Sequence, residues 1–134
     1  MSPYREVDHT ADWALHVWAP TMEALFVDAA KGMYALAGVA AATRPTARRH
    51  IELSADDYES LLVAWLQELL FFTESEGQVF DDFRIISLSA TRLSAEAAGG
   101  RPERLDKVIK AVTFHNLSIR PTAVGYETTL VFDV

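Results

Sequence analysis

Val7-Asp8-His9-Thr10-Ala11-Asp12 places two carboxylates, an imidazole and a hydroxyl side by side, and an apolar run from Trp13 to Ala19 follows directly. Carboxylate oxygens are hard donors that suit calcium or magnesium. A single loop seldom supplies enough of them, so a second acidic point is needed. The sequence closes on one: Leu130-Val131-Phe132-Asp133-Val134 carries the Asp133 side chain and the terminal carboxylate of Val134. The expectation is that these two stretches meet at one divalent cation, held by Asp8, Asp12, Asp133 and Val134. Crowded carboxylates repel one another unless a cation neutralises them. Lys110 is the natural opposite charge, with a stem long enough to lay its amine beside an acidic cluster.

Other chemistries find little purchase. No Gly-rich phosphate loop of the GxGxxG or GxxxxGK[ST] kind is present. No HExxH pair occurs, which argues against a zinc hydrolase. No serine stands in a Gly-x-Ser-x-Gly elbow. The chain has no cysteine, so disulfides and thiolate metal sites are excluded. Its 134 residues carry a formal net charge of −7, with Arg48-Arg49 as the one basic pair of note. Surfaces that grip phosphates are usually basic, so direct, tight nucleic-acid binding is disfavoured and a cation or a basic protein partner fits better. No apolar run reaches the roughly 20 residues that cross a bilayer. The N-terminus shows no signal-peptide stretch, and a cytoplasmic location is expected.

The elements that must position these groups follow from periodicity. Tyr4–Val7 and Trp13–Trp18 read as strands, the second with His16 on the face opposite Leu15. Thr21 caps a helix with a stripe from Met22 to Ala37 and a stop at Gly38; Gly32 inside it points to a close crossing by another element. Arg48–Leu53 alternates as a strand. Ser54 is placed to cap a long apolar helix over Ala55–Thr73, where Glu68 falls awkwardly between Trp65 and Phe72 and either reaches the rim or meets a partner. Gly77 ends that unit. Gln78–Leu88, Arg92–Ala97, Val108–Ile119 and Tyr126–Phe132 complete the strands. Two helices early and about seven strands in all predict an α+β fold, a two-layer sandwich with two main helices on a largely antiparallel sheet. No linker or repeat divides the sequence, so 1–134 is expected to be one domain.

These residues sit in a recognisable setting. The opening Val7–Asp12 motif is similar to that of the archease family. The resemblance continues through Ala64-Trp65-Leu66-Gln67-Glu68-Leu69-Leu70, Glu76-Gly77-Gln78-Val79-Phe80, Lys110-Ala111-Val112-Thr113-Phe114-His115 and Val131-Phe132-Asp133-Val134. It spans essentially the whole sequence in the family's order. Gln67 replaces a commoner asparagine and Phe114 a commoner tyrosine. Trp13-Ala14-Leu15 after Asp12 is unusual, and the segment Ala97–Lys107 looks shortened.

The resemblance implies an accessory protein, not itself an enzyme, that activates the RNA ligase joining tRNA exon halves. It would speed guanylylation of the ligase and allow its multiple turnover. It implies a metal site at Asp12, Asp133 and Val134, with calcium favoured over magnesium or another ion, and an activating role for Lys110. Asp8, His9, Glu68 and His115 lie in matching motifs as auxiliary positions without a role carried over. Two rival readings use the same residues: a chaperone-like, protein-binding modulator with an incidental cation, and an autonomous metal-dependent phosphohydrolase.

Overall fold

The computed structural model describes residues 3–7, 13–39, 47–102, 104–114 and 116–134. Of the candidate residues, Asp8, His9, Asp12 and His115 lie outside that set.

The first strand, β1 (Tyr4–Val7), pairs antiparallel with β2 (Trp13–Ala19). The first helix, α1 (Met22–Leu36), follows. Thr21 caps it from an extended conformation, its hydroxyl accepting the Ala24 N–H at 3.1 Å. Met22, Leu25, Phe26, Ala29 and Met33 form the buried stripe. Gly32 lies where this helix crosses β1 and β2. A Cβ there would stand 2.6 Å from Leu15 Cδ2 and 2.9 Å from Tyr4 Cγ, which is the close crossing its position in the sequence implied.

Strand β3 (Ala47–Ser54) leads to the long helix α2 (Tyr58–Glu76). Its start falls one turn later than the expected Ala55, and its cap is Asp57, not Ser54. Ser54 stays in the β3 ladder opposite Arg92, and the Ala55 N–H is taken by the Thr91 carbonyl at 3.0 Å. The sheet thus holds the backbone extended past the first capping candidate. Asp57 accepts the Ser60 N–H at 2.7 Å, which holds its carboxyl below the ordinary range. The helix runs to Glu76, three residues past the expected Thr73, and Gly77, the residue expected to end the unit, stops it at φ 67° in the left-handed region.

Strands β4 (Val79–Leu88) and β5 (Arg92–Gly100) form a hairpin. Two short strands, β6 (Ala111–Thr113) and β7 (Arg120–Thr122), and the longer β8 (Gly125–Asp133) follow. The expected strand over Val108–Ile119 is reduced to β6. Asn116 takes φ 54°, a left-handed conformation that asparagine tolerates and a strand does not. The Leu117 N–H turns back to the Phe114 carbonyl, and the Ile119 N–H goes to the Glu59 carboxylate at 3.1 Å.

The architecture is two helices on antiparallel sheets, as the α+β reading expects. Among the described residues the single sheet of that reading is two: a five-stranded sheet, β1-β2-β8-β6 with β7 also on β8, and a three-stranded sheet, β3-β5-β4. Trp65 stands at the centre, fully buried. It donates from Nε1 to the Phe26 carbonyl at 3.0 Å and meets the Phe83 ring edge-on. In the smaller sheet, buried Gly99 lets β4 approach closely. A Cβ would overlap the Val79 carbonyl oxygen and lie 2.7 Å from the Phe80 Cα. Backbone cannot step aside without opening the ladder, so Gly99→Ala should destabilise the protein by about 2 kcal/mol. Urea unfolding checks this, and an unchanged midpoint would contradict the close packing.

Candidate functional site

The site forms where three strands end together. In the five-stranded sheet β8 is central, with β2 on one side and β6 on the other. Phe132 lies opposite both Trp13 and Val112, and Asp133 lies opposite Ala111. The Lys110 N–H donates to the Asp133 carbonyl at 2.8 Å, fastening the start of β6 to the end of β8. Phe132 is fully buried and anchors the strand, while the pleat turns Asp133 outward into solvent. Lys110 is also exposed, and Val134 is partly covered.

The structure therefore brings Lys110, Asp133 and Val134 to one end of the sheet. Asp12 is bonded to Trp13, whose partner across the ladder is Phe132. Among the described residues no three His, Asp or Glu side chains gather as a metal cage; Asp12, Asp8, His9 and His115 are not among them. The described donors suit a hard divalent cation in kind, since Asp133 offers a solvent-facing carboxylate with no salt-bridge partner among the described residues.

Glu68 is half-buried on α2, and among the described residues no group bonds to its carboxylate. The residue before it, Gln67, donates from Nε2 to the Val112 carbonyl at 3.4 Å, tying α2 to β6. His16 has a local role. It sits 3.2 Å from the Thr129 hydroxyl, 3.5 Å from Glu127 and against the Trp18 ring, on the outer face of the sheet.

Two features had no clear signal in the sequence. Lys107 lays its Nζ 3.7 Å from the centroid of the Trp13 ring, a cation–π contact that bridges 105–110 to the start of β2. Beside Lys110 opens a cavity of about 390 Å³ between the C-terminal halves of both helices and this same segment. Its walls include Met33, Ala37, Leu70, Leu105 and Ile109. Tyr34 also lines it, its hydroxyl 2.9 Å from Thr73 Oγ1, and burial pushes that phenol's pKa up. Neither feature has a periodicity to read, because the segment that makes both is irregular and is placed by the Lys107 N–H bond to the Ala37 carbonyl and the Lys110 bond to Asp133.

The fold and this strand end define a small α+β protein with, among the described residues, two helices on two antiparallel sheets and the exposed side chains of Lys110 and Asp133 at one end of the larger sheet. The family profile described as "Archease protein family (MTH1598/TM1083)" matches residues 4–134. The chain is 36% identical to protein archease of Methanopyrus kandleri, over 87% of this chain and 89% of that one. It is 33% identical to protein archease of Saccharolobus islandicus, with 100% of each covered. The chain belongs to the archease family. Among solved structures, protein 1598 of Methanobacterium thermoautotrophicum superposes with a TM-score of 0.76 at 27% identity, over 100% of both chains. A Thermotoga maritima protein described as an archease and possible chaperone shares the fold, with a TM-score of 0.69 at 20% identity over 97% of this chain and 96% of that one.

Proposed function

We propose that this protein is an accessory factor, not a self-sufficient enzyme, that activates the RNA ligase of tRNA splicing by promoting its guanylylation and multiple turnover. The observation that carries the reading is the pairing of β6 with the end of β8, which sets Lys110 beside Asp133 at one exposed edge of an archease. We take residues 1–134 as one archease unit. Asp12, Asp133 and Val134 would hold a divalent cation, calcium before magnesium. Such an ion neutralises charge on a triphosphate during nucleotidyl transfer. The chain's own residues do the rest. The buried Phe132 fixes the strand that presents Asp133, and the backbone bond from Lys110 fixes where its amine starts. Asp8, His9, Glu68 and His115 remain auxiliary.

The net charge of −7 fits this division of labour, since the RNA would be handled by the ligase and not by this surface. A second reading, a chaperone-like modulator that binds protein without needing a cation, draws support from the exposed apolar side chains Phe71, Val108 and Phe114. The test is a guanylylation assay with the cognate ligase, GTP and divalent metal, adding this protein below stoichiometry. Faster formation of the ligase–guanylate adduct, abolished by stripping this protein of metal, is expected. Acceleration that survives metal removal would favour the modulator; no acceleration at all would refute the activator reading.

A further inference from the structure

Residues 105–110 are held at three points. Leu105 bridges antiparallel to Val39, the Lys107 N–H donates to the Ala37 carbonyl at 3.0 Å, and the Lys110 N–H donates to the Asp133 carbonyl at 2.8 Å. Suspended in this way, the segment spans the C-terminal ends of α1 and α2 without filling the space beneath it. The helices fill little of it either: Ala37 and Thr73 are small, and the Tyr34 hydroxyl is tied to Thr73 at 2.9 Å. About 390 Å³ stays open. That lies within the roughly 300–1,000 Å³ of small-molecule sites.

The lining says what kind of molecule fits. Met33, Leu70, Leu105 and Ile109 make the walls aliphatic, and Tyr34 is the one ring among the described lining residues. Such walls suit a saturated chain, whereas a nucleobase asks for stacking faces and hydrogen-bonding groups around it. Three charged side chains line the cavity: Lys107 and Lys110 on the segment, and Glu74 on α2. The two ammonium groups outnumber the carboxylate by one, although the whole chain carries −7. Lys107 keeps its charge while its amine rests 3.7 Å from the Trp13 ring centroid. Lys110 and Glu74 form no ion pair among the described residues, with each other or with any other group. Burial raises the Tyr34 pKa, so this phenol stays neutral and adds no second anion.

We infer that the cavity binds an aliphatic monocarboxylate, with its chain among Met33, Leu70, Leu105 and Ile109 and its head at the Lys110 amine. The chain covers apolar wall that water otherwise wets, and the charged head fixes the orientation. Glu74 repels the head from the α2 side and so directs it to the segment. One surplus cation matches one anionic group; a triphosphate or other polyanion would exceed it. The inference stands apart from the activator reading and does not depend on it.

The experiment titrates the full-length protein with octanoate and follows the methyl NMR signals of Met33, Leu70, Leu105 and Ile109. These should move together and saturate. Acetate, the head alone, should leave them in place at the same concentration. Octanol, the same chain without the charge, should bind about 3- to 10-fold more weakly. Lys110→Met should weaken octanoate by about the same factor, whereas Glu74→Gln should tighten it about 2-fold. Both side chains are exposed, so neither substitution should disturb the fold. Absence of a saturable shift at these methyls with octanoate would overturn the site. Octanol binding as tightly as octanoate, or either charge variant leaving the octanoate affinity unchanged, would overturn the assigned ligand class.

Discussion

On the proposed activator role, Asp133→Ala should retain its fold and lose most of the ligase acceleration, by on the order of 10- to 100-fold in the saturating rate. The side chain is exposed at the end of β8, and the strand's anchoring residues, Leu130 and Phe132, are untouched. Its backbone carbonyl, which accepts from Lys110, survives the substitution. Unfolding by urea should therefore shift by no more than about 0.5 kcal/mol. Lys110→Met keeps the stem that lines the cavity and removes only the amine, so it should lower the saturating rate without moving half-saturation. An Asp133→Ala protein that accelerates the ligase fully would remove Asp133 from the site.

The largest loss of stability is expected at Trp65, not at any polar residue. Trp65→Ala should cost about 4 kcal/mol. It removes a fully buried indole, leaves a void against Phe83 and strands the Phe26 carbonyl that Nε1 satisfies at 3.0 Å. A domain of this size commonly has about 5–15 kcal/mol in hand, so much of the margin would go. Trp65→Phe separates the two effects: the ring largely refills the space, and only the lost hydrogen bond, about 1–2 kcal/mol, should remain. Urea denaturation of both variants checks the division. An alanine variant within about 1 kcal/mol of wild type would mean that α1 and α2 do not depend on this contact.

Much of this was legible before any fold was known. The apolar stripe Met22–Ala37 gives α1 because side chains three and four apart must share one face. Thr21 and Gly77 are read as helix ends because their types suit capping geometry. Gly32 announces a close neighbour, and Leu15 with Tyr4 proves to be that neighbour. Ser54 misleads because its type suits a cap equally well, yet cross-strand pairing with Arg92 outweighs a local preference. The Val108–Ile119 stretch misleads for a related reason. Its β-branched composition permits a strand, but the left-handed Asn116 and the Glu59 carboxylate take the backbone elsewhere.

Local chemistry by itself determined both helices and most of the strands, the absence of thiol chemistry and the acidic character, and the order of motifs pointed to the family. Those follow from residue types and short-range spacing, which tertiary structure does not alter. Only the tertiary structure decided that the strands divide into two sheets, that Lys110 is fastened to the end of β8, and that Leu105–Lys110 roofs a cavity beside α2. Each of these is a pairing between residues far apart in sequence. Strand partners are chosen by the burial available on both faces at once, a property of the assembled core that no single segment carries.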